Sequence, residues 1–259
     1  MRIAVAQMMP VPGDITGNLT RIDAAAAEAK AGGADALVAP ELAVPGYGAG
    51  AVLRDLAEPK DGAQVAALRE SARRHGLAVV AGFAERAGGQ IYNAAAAVDA
   101  SGYALLYRKQ FLYGAYEKGI FAPGDASPTI IEIAGLRAGV LICYDVEFPE
   151  CVRALARAGA AVVLAPTALP EGSDSTFIAE RVVPVRAFEN QIAIAYANYA
   201  GRDQRFTYAG RSCIAMPDGT DAARAPAAGP ALIFADYNPT DYAASRAENA
   251  YLADLAGRG

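Results

Sequence analysis

The sequence predicts a single α/β domain in which sheets are covered by helices. Three observations predict it. Strand-like runs alternate with helical segments over the first part of the chain and then follow one another directly. The strands are almost continuously apolar, as strands buried on both faces are. No change of composition marks a linker, and no internal repeat is visible across residues 1–259.

The elements follow in order. Residues 2–7 read as a buried strand, 18–31 as an alanine-rich helix stopped by Gly32 and Gly33, and 36–39 as a second strand. Residues 62–75 form a helix closed by Gly76, and strands follow at 77–83, 91–98 and 103–107, with turns at Gly88-Gly89 and Ser101-Gly102. A loop rich in Tyr, Gly and Pro, 110–128, leads to strands at 129–133 and 137–142, a helix at 148–158 and a strand at 161–165. A helix at 176–190 feeds a strand at 192–197. Short strands at 212–215 and 231–235 alternate with turns before a polar helical tail.

A hydrophobic fraction of 54% over 259 residues supplies a sizeable core. The formal net charge of −5 is spread along the chain, so no basic surface for nucleic acid or anionic lipid is expected and a small-molecule partner is. The apolar run at 2–7 soon meets Pro10, Pro12 and Gly13; it is too short for a signal-peptide core or a membrane span, and a cytoplasmic location is expected. Cys143, Cys151 and Cys213 form no CxxC pair, and with a single histidine neither a metal site nor a disulfide is expected.

Cys143 follows the apolar run Gly139-Val140-Leu141-Ile142 and precedes Phe148-Pro149-Glu150, which opens a helix. A thiol on such a strand-to-helix turn is exposed at a sheet edge, beside amide N–H groups able to favour thiolate and bind an oxyanion. Its alternative is a small core side chain, the usual use of a free cysteine. The only histidine, His75, lies beside Arg73 and Arg74 at a helix carboxyl end and reads as a solvated terminal residue, so a Cys-His pair is disfavoured.

Glu41, in Pro40-Glu41-Leu42, stands at the end of a buried strand, where open α/β sheets bind ligands. Partial desolvation there would raise its pKa and fit it to take a proton from a thiol; its alternative is a solvated or ion-paired strand end. Lys109 follows the 103–107 strand and is one of four lysines in a chain that otherwise uses arginine. Its ammonium suits an oxyanion, or simply a solvated strand end.

Together these residues resemble the nitrilase superfamily of carbon-nitrogen hydrolases, whose members carry a Glu-Lys-Cys triad in that order on strand ends. The blocks are Pro40-Glu41-Leu42 with Pro45-Gly46-Tyr47, Tyr107-Arg108-Lys109 with Phe121-Ala122-Pro123-Gly124, Ile142-Cys143-Tyr144-Asp145 with Phe148-Pro149-Glu150, and residues 186–191. The resemblance covers nearly the whole chain. It implies a four-layer α-β-β-α sandwich, pairing into a homodimer or higher homo-oligomer, catalysis without cofactor or metal, and a second glutamate, Glu117, that positions substrate and lysine. Arg186 and Glu189 read as an ion pair within their helix.

The superfamily's nitrilases typically carry Trp-Glu after the nucleophile, whereas this chain has Tyr144-Asp145, the pattern of its amidases. The nearest resemblance is to short bacterial amidases of the 5-aminopentanamidase type and to stereoselective aliphatic amidases, which implies a small ω-amino or aliphatic amide. A nitrile, an N-carbamoyl amino acid, acyl transfer to an acceptor other than water, and an inactive scaffold are the competing readings. Tyr47, Tyr113, Tyr116, Tyr144 and Thr167 are the candidate substrate-positioning residues, and residues 166–175 are expected to form part of the rim. Gly46-Tyr47-Gly48-Ala49-Gly50 lacks the full fingerprint of a nucleotide loop.

Overall fold

The computed structural model describes residues 1–257. Strand β1 (Arg2–Gln7), helix α1 (Ile15–Ala31), β2 (Ala36–Val38), α2 (Leu53–Leu56), α3 (Ala63–His75), β3 (Ala78–Ala87), β4 (Gln90–Val98), β5 (Ala104–Arg108) and α4 (Gly114–Lys118) make the first half. The second half comprises β6 (Ile130–Ile133), β7 (Leu136–Val140), α5 (Pro149–Arg157), β8 (Val162–Pro166), α6 (Ser175–Phe177), α7 (Val183–Asn190) and β9 (Ala193–Ala197). Then come β10 (Ala200–Arg202), β11 (Thr207–Ala209), β12 (Cys213–Ala215), β13 (Asp221–Arg224), β14 (Ala231–Asp236), α8 (Ala243–Glu248) and α9 (Tyr251–Ala256).

Two six-stranded sheets result, ordered β14-β1-β2-β3-β4-β5 and β13-β12-β9-β8-β7-β6. In each, three neighbouring strands are parallel (β1, β2, β3 and β7, β8, β9) and are joined by crossovers that contain α1 and α3, or α5 and α7. Side chains alternate along the strands as a period of two demands. Ile3, Val5, Val38 and Val80 share one apolar cluster with Val140, Leu164 and Tyr196 of the other sheet, whereas Ala4, Leu37 and Val79 pack with Ile22 and Ala26 of α1 and with Val65 and Leu68 of α3. The layers are therefore helix, sheet, sheet, helix, as the resemblance implied.

Several boundaries differ from the sequence reading, each for a local reason. Helix α1 starts at Ile15 because the Asp14 carboxylate accepts from the Gly17 N–H at 3.0 Å and caps it. Strand β3 continues to Ala87 because its ladder with β4 runs to the Gly88-Gly89 turn. The β10–β11 hairpin, β13, α2 and α4 were not expected; they are short and held by tertiary contacts more than by local pattern. His75 is not solvated: it is part-buried, and its Nε2 lies 2.9 Å from Asp23 Oδ1 on α1, far in sequence from the candidate site. Among the described residues no helix is long and apolar enough to cross a membrane.

Candidate active site

The ends of β2, β5 and β7 bring Glu41, Lys109 and Cys143 into one buried cluster, with Glu117 supplied by α4. Two of these strand ends turn sharply: Leu42, directly after Glu41, has φ 47°, and Cys143 itself has φ 46°. Such left-handed conformations are unfavourable for residues with a Cβ and are held here by the surrounding structure. Cys143 opens a 3-10 turn that precedes α5, so the thiol is presented by a tight turn and not by the first turn of the helix itself.

Glu41, Lys109 and Glu117 have no solvent exposure. The Lys109 ammonium donates to Glu41 Oε1 and to Glu117 Oε1, each at 2.7 Å. Glu117 is thereby not a surface charge. Its Oε1 also accepts from the Tyr47 hydroxyl at 2.8 Å, and its Oε2 accepts from the Tyr113 backbone N–H at 2.9 Å. Buried charges persist only when paired and hydrogen-bonded in this way, and removing one partner from such a group typically costs about 3–5 kcal/mol.

Burial pushes the Glu41 carboxyl up to about 7, against the pull of the Lys109 charge and with a further push from Glu117. Burial disfavours the Lys109 ammonium, but Glu41 and Glu117 outweigh it and hold the lysine above its ordinary range. The Cys143 thiol is driven well above its usual value by burial and then by the Glu41 charge, while Lys109 and the Ala168 backbone N–H pull the other way. The resting thiol is therefore held protonated, contrary to the expectation that the turn would favour thiolate. Among the described residues Glu41 Oε2 is buried with no hydrogen-bond partner.

Three supporting groups were missed in the sequence. Asn93, fully buried on β4, donates from Nδ2 to Glu41 Oε1 at 2.6 Å; the one side-chain amide within the expected strand 91–98 was the available signal. Asp145 accepts from the Tyr107 hydroxyl and the Phe111 N–H, both at 2.8 Å, and from the Ile142 N–H at 3.2 Å, fastening the Cys143 turn to the loop after β5. Arg186 on α7 does more than pair with Glu189 at 3.0 Å: it also donates to the carbonyls of Val146 and Glu147, at 3.2 and 2.8 Å.

The remaining candidates separate into two kinds. Tyr144 and Tyr113 lie edge to face, 5.2 Å between centroids, with Tyr113 exposed and Tyr144 half-buried beside Cys143. Tyr116 and Thr167 act on backbone: the Tyr116 hydroxyl bonds the Tyr47 carbonyl and accepts from the Gly50 N–H, and the Thr167 carbonyl accepts from the Glu41 N–H at 3.3 Å. Thr167, Ala168 and Leu169 are buried, so only the later part of 166–175 is rim. The Asn198 side chain fixes this segment by accepting from the Leu169 N–H at 2.8 Å.

The sequence model of the carbon-nitrogen hydrolase family matches residues 2–247. A protein of Pseudomonas protegens described as a hydrolase in the pqqF 5' region is 42% identical over 98% of this chain and 88% of its own length. An (R)-stereoselective amidase from a Pseudomonas species is 38% identical over 85% of this chain and 78% of its own. The NitN amidase of Nesterenkonia sp. AN1 superposes with a TM-score of 0.88 at 36% identity, covering 98% of this chain and 96% of that one, and a variant of it carries the acetamide moiety of fluoroacetamide covalently at its active-site cysteine. A match over nearly the whole chain, on the same layered fold and with the superfamily's motif residues gathered in one buried cluster, makes this chain a member of the carbon-nitrogen hydrolase family within the nitrilase superfamily.

Proposed function

We propose that this protein hydrolyses a small amide to a carboxylate and ammonia through a thioester on Cys143, acting as one domain over residues 1–259, in the cytoplasm, as a homodimer or higher homo-oligomer. The observation that carries the chemistry is the buried Glu41-Lys109-Glu117 network beside a protonated thiol. Exposed Phe177 and Val185 on the outer helical layer support the pairing.

Glu41 Oε2 takes the thiol proton as Sγ attacks the amide carbon, and the carbonyl π electrons move to oxygen. Lys109 has three N–H donors, two of them engaged by Glu41 and Glu117, which leaves one for that oxyanion alongside the Tyr144 backbone N–H. The tetrahedral adduct collapses, the C–N bond breaks, and the nitrogen leaves as ammonia with the proton held by Glu41. Water then attacks the thioester, losing a proton to Glu41. The C–S bond breaks, the thiolate recovers that proton from Glu41, and the acid departs and ionises to the carboxylate in water. Tyr47 and Tyr113 hold Glu117, Thr167 and Tyr116 hold the backbone near Glu41 and Tyr47, and Tyr144 borders the acyl group.

The test is ammonia release from matched amides, nitriles and carbamoyl amino acids. Release from amides is expected in the wild type, none in Cys143→Ala, and in Glu41→Gln a loss of about 10²–10⁴-fold, the usual weight of a general base. Full turnover in Cys143→Ala would overturn the thioester route, and release from nitriles alone would transfer the protein to the nitrilases.

A further inference from the structure

The direction in which the Glu41 carboxylate points depends on the backbone that carries it. That backbone turns at once: Leu42, next in the chain and fully buried, has φ 47°, a conformation that a residue with a Cβ keeps only under outside constraint. Most of the constraint comes from main chain. The Gly82 N–H donates to the Pro40 carbonyl at 3.1 Å, the Glu41 N–H to the Thr167 carbonyl at 3.3 Å and the Gly46 N–H to the Leu42 carbonyl at 2.7 Å. Among the described residues one side chain alone hydrogen-bonds to the backbone of residues 40–43: the Tyr199 hydroxyl donates to the Leu42 carbonyl at 3.2 Å.

Tyr199 belongs to the other half of the fold, in the link between β9 and β10, and is itself fixed along its length. Its N–H donates to Asn198 Oδ1 at 2.9 Å, and its carbonyl accepts from the Gly210 N–H at 3.0 Å. Its ring packs against Tyr208 with 5.1 Å between centroids. The following N–H, of Ala200, donates to the Met8 carbonyl at 3.0 Å, just beyond β1, so the link is tied to both sheets. Burial, and after it the Glu41 charge, push the Tyr199 hydroxyl above its ordinary range, which keeps it a protonated donor. A side chain held this firmly transmits its position to the carbonyl it touches.

We infer that Tyr199 is a positioning residue for the reaction: its hydroxyl holds the Leu42 carbonyl, and with it the strained turn that aims Glu41 Oε2 at the Cys143 thiol. The inference rests on the amidase reading above, in which Glu41 is the base. A general base works only within hydrogen-bond reach of the proton it takes, and a misplacement of about 1 Å can cost about 100-fold. Glu41 Oε1 is already fastened by Lys109 and Asn93, so a shift of the turn swings Oε2.

Tyr199→Phe tests it, because the ring stays and the Leu42 carbonyl keeps its Gly46 partner, so the fold is expected to persist. Amide hydrolysis is expected to lose about tenfold in kcat with KM within about twofold. Replacing Tyr199 by 4-aminophenylalanine, which puts an N–H donor at the far end of the ring, is expected to recover most of that loss. Tyr208→Phe is the matched control: its hydroxyl bonds Asp203 Oδ2 at 2.7 Å, away from the Glu41 turn, and wild-type kcat is expected. A second readout needs no amide. Methyl methanethiosulfonate modifies the thiol as Sγ attacks the thiosulfonate sulfur, the S–S bond breaks, methanesulfinate leaves and Glu41 takes the thiol proton. Followed at Cys143 by peptide mass spectrometry, the wild-type rate is expected to rise with pH through about 7. In Tyr199→Phe a loosened turn admits water to Glu41, relieves the burial that raises its carboxyl and moves that rise to lower pH. Wild-type kcat with an unmoved profile in Tyr199→Phe, a loss that 4-aminophenylalanine does not recover, or an equal loss in Tyr208→Phe overturns the role of Tyr199 and leaves the amidase reading standing. A moved thiol profile in Tyr199→Phe, with no amide hydrolysed by any form, overturns the amidase reading and upholds the positioning of Glu41.

Discussion

Asn93 shows how much the behaviour of the Glu41 carboxyl depends on one neighbour. Its Nδ2 reaches Glu41 Oε1, while among the described residues its own Oδ1 is buried with no partner. An unpaired buried acceptor costs about 1–3 kcal/mol, a cost retained where the other end of the amide is used. In the proposed mechanism Glu41 must be ionised to take the thiol proton, so activity is expected to rise with pH through about 7. The Asn93 hydrogen bond favours the charged form, and its loss in Asn93→Ala should move that rise to higher pH and lower kcat by about tenfold, read from pH–rate profiles. An unchanged profile would make Asn93 a packing residue only. Glu41, Lys109, Glu117 and Cys143 were legible because their motifs are local in sequence. Asn93 was not, because its meaning depends on which strand lies next to β2 and β5.

At the scale of elements, the site is built by turns that only close packing can hold. Gly82 on β3 lies beneath the turn after β2: a Cβ there would sit 2.0 Å from the Leu42 backbone nitrogen and 2.7 Å from the Glu41 carbonyl carbon. Neither neighbour is a flexible side chain, so Gly82→Ala must displace the Glu41-Leu42 turn. We expect a loss of about 1–3 kcal/mol in urea denaturation together with at least tenfold lower turnover. Stability lost with kcat intact would show that the turn tolerates displacement. The sequence marked 77–83 as a strand but gave no reason for its glycine, since the contact joins residues forty apart. Similarly, the loop at 110–128 was read as irregular, and α4 within it forms where Glu117 is anchored by Lys109 and the Tyr113 N–H.

Across the whole molecule, both sheets carry the same sequence of pairings: one antiparallel edge strand, three parallel strands, then two further antiparallel strands. The chain shows no matching internal repeat, because alternating burial constrains only the apolarity of each position and leaves its identity free. The buried carboxylates at the centre also set how stability responds to pH. Burial raises Asp145 to about 6 from an ordinary 3.8, so the folded state holds this proton more tightly than the unfolded chain. Its stabilising contribution is complete below about 4 and is lost as pH rises through about 6. Asp145→Asn, which cannot titrate, is therefore expected to gain on the wild type by roughly 1–3 kcal/mol between pH 4 and pH 7.5 in urea denaturation. A gap that does not change with pH would mean that the folded carboxyl titrates normally.

The sequence by itself determined the strand and helix order, the apolar faces and the motif residues, because periodicity and turn chemistry act over neighbouring positions. Only the tertiary structure decided that three strand ends from two sheets meet around one ammonium and that the thiol is held protonated. Burial and electrostatic coupling are properties of what lies across space, and no short window of sequence contains them.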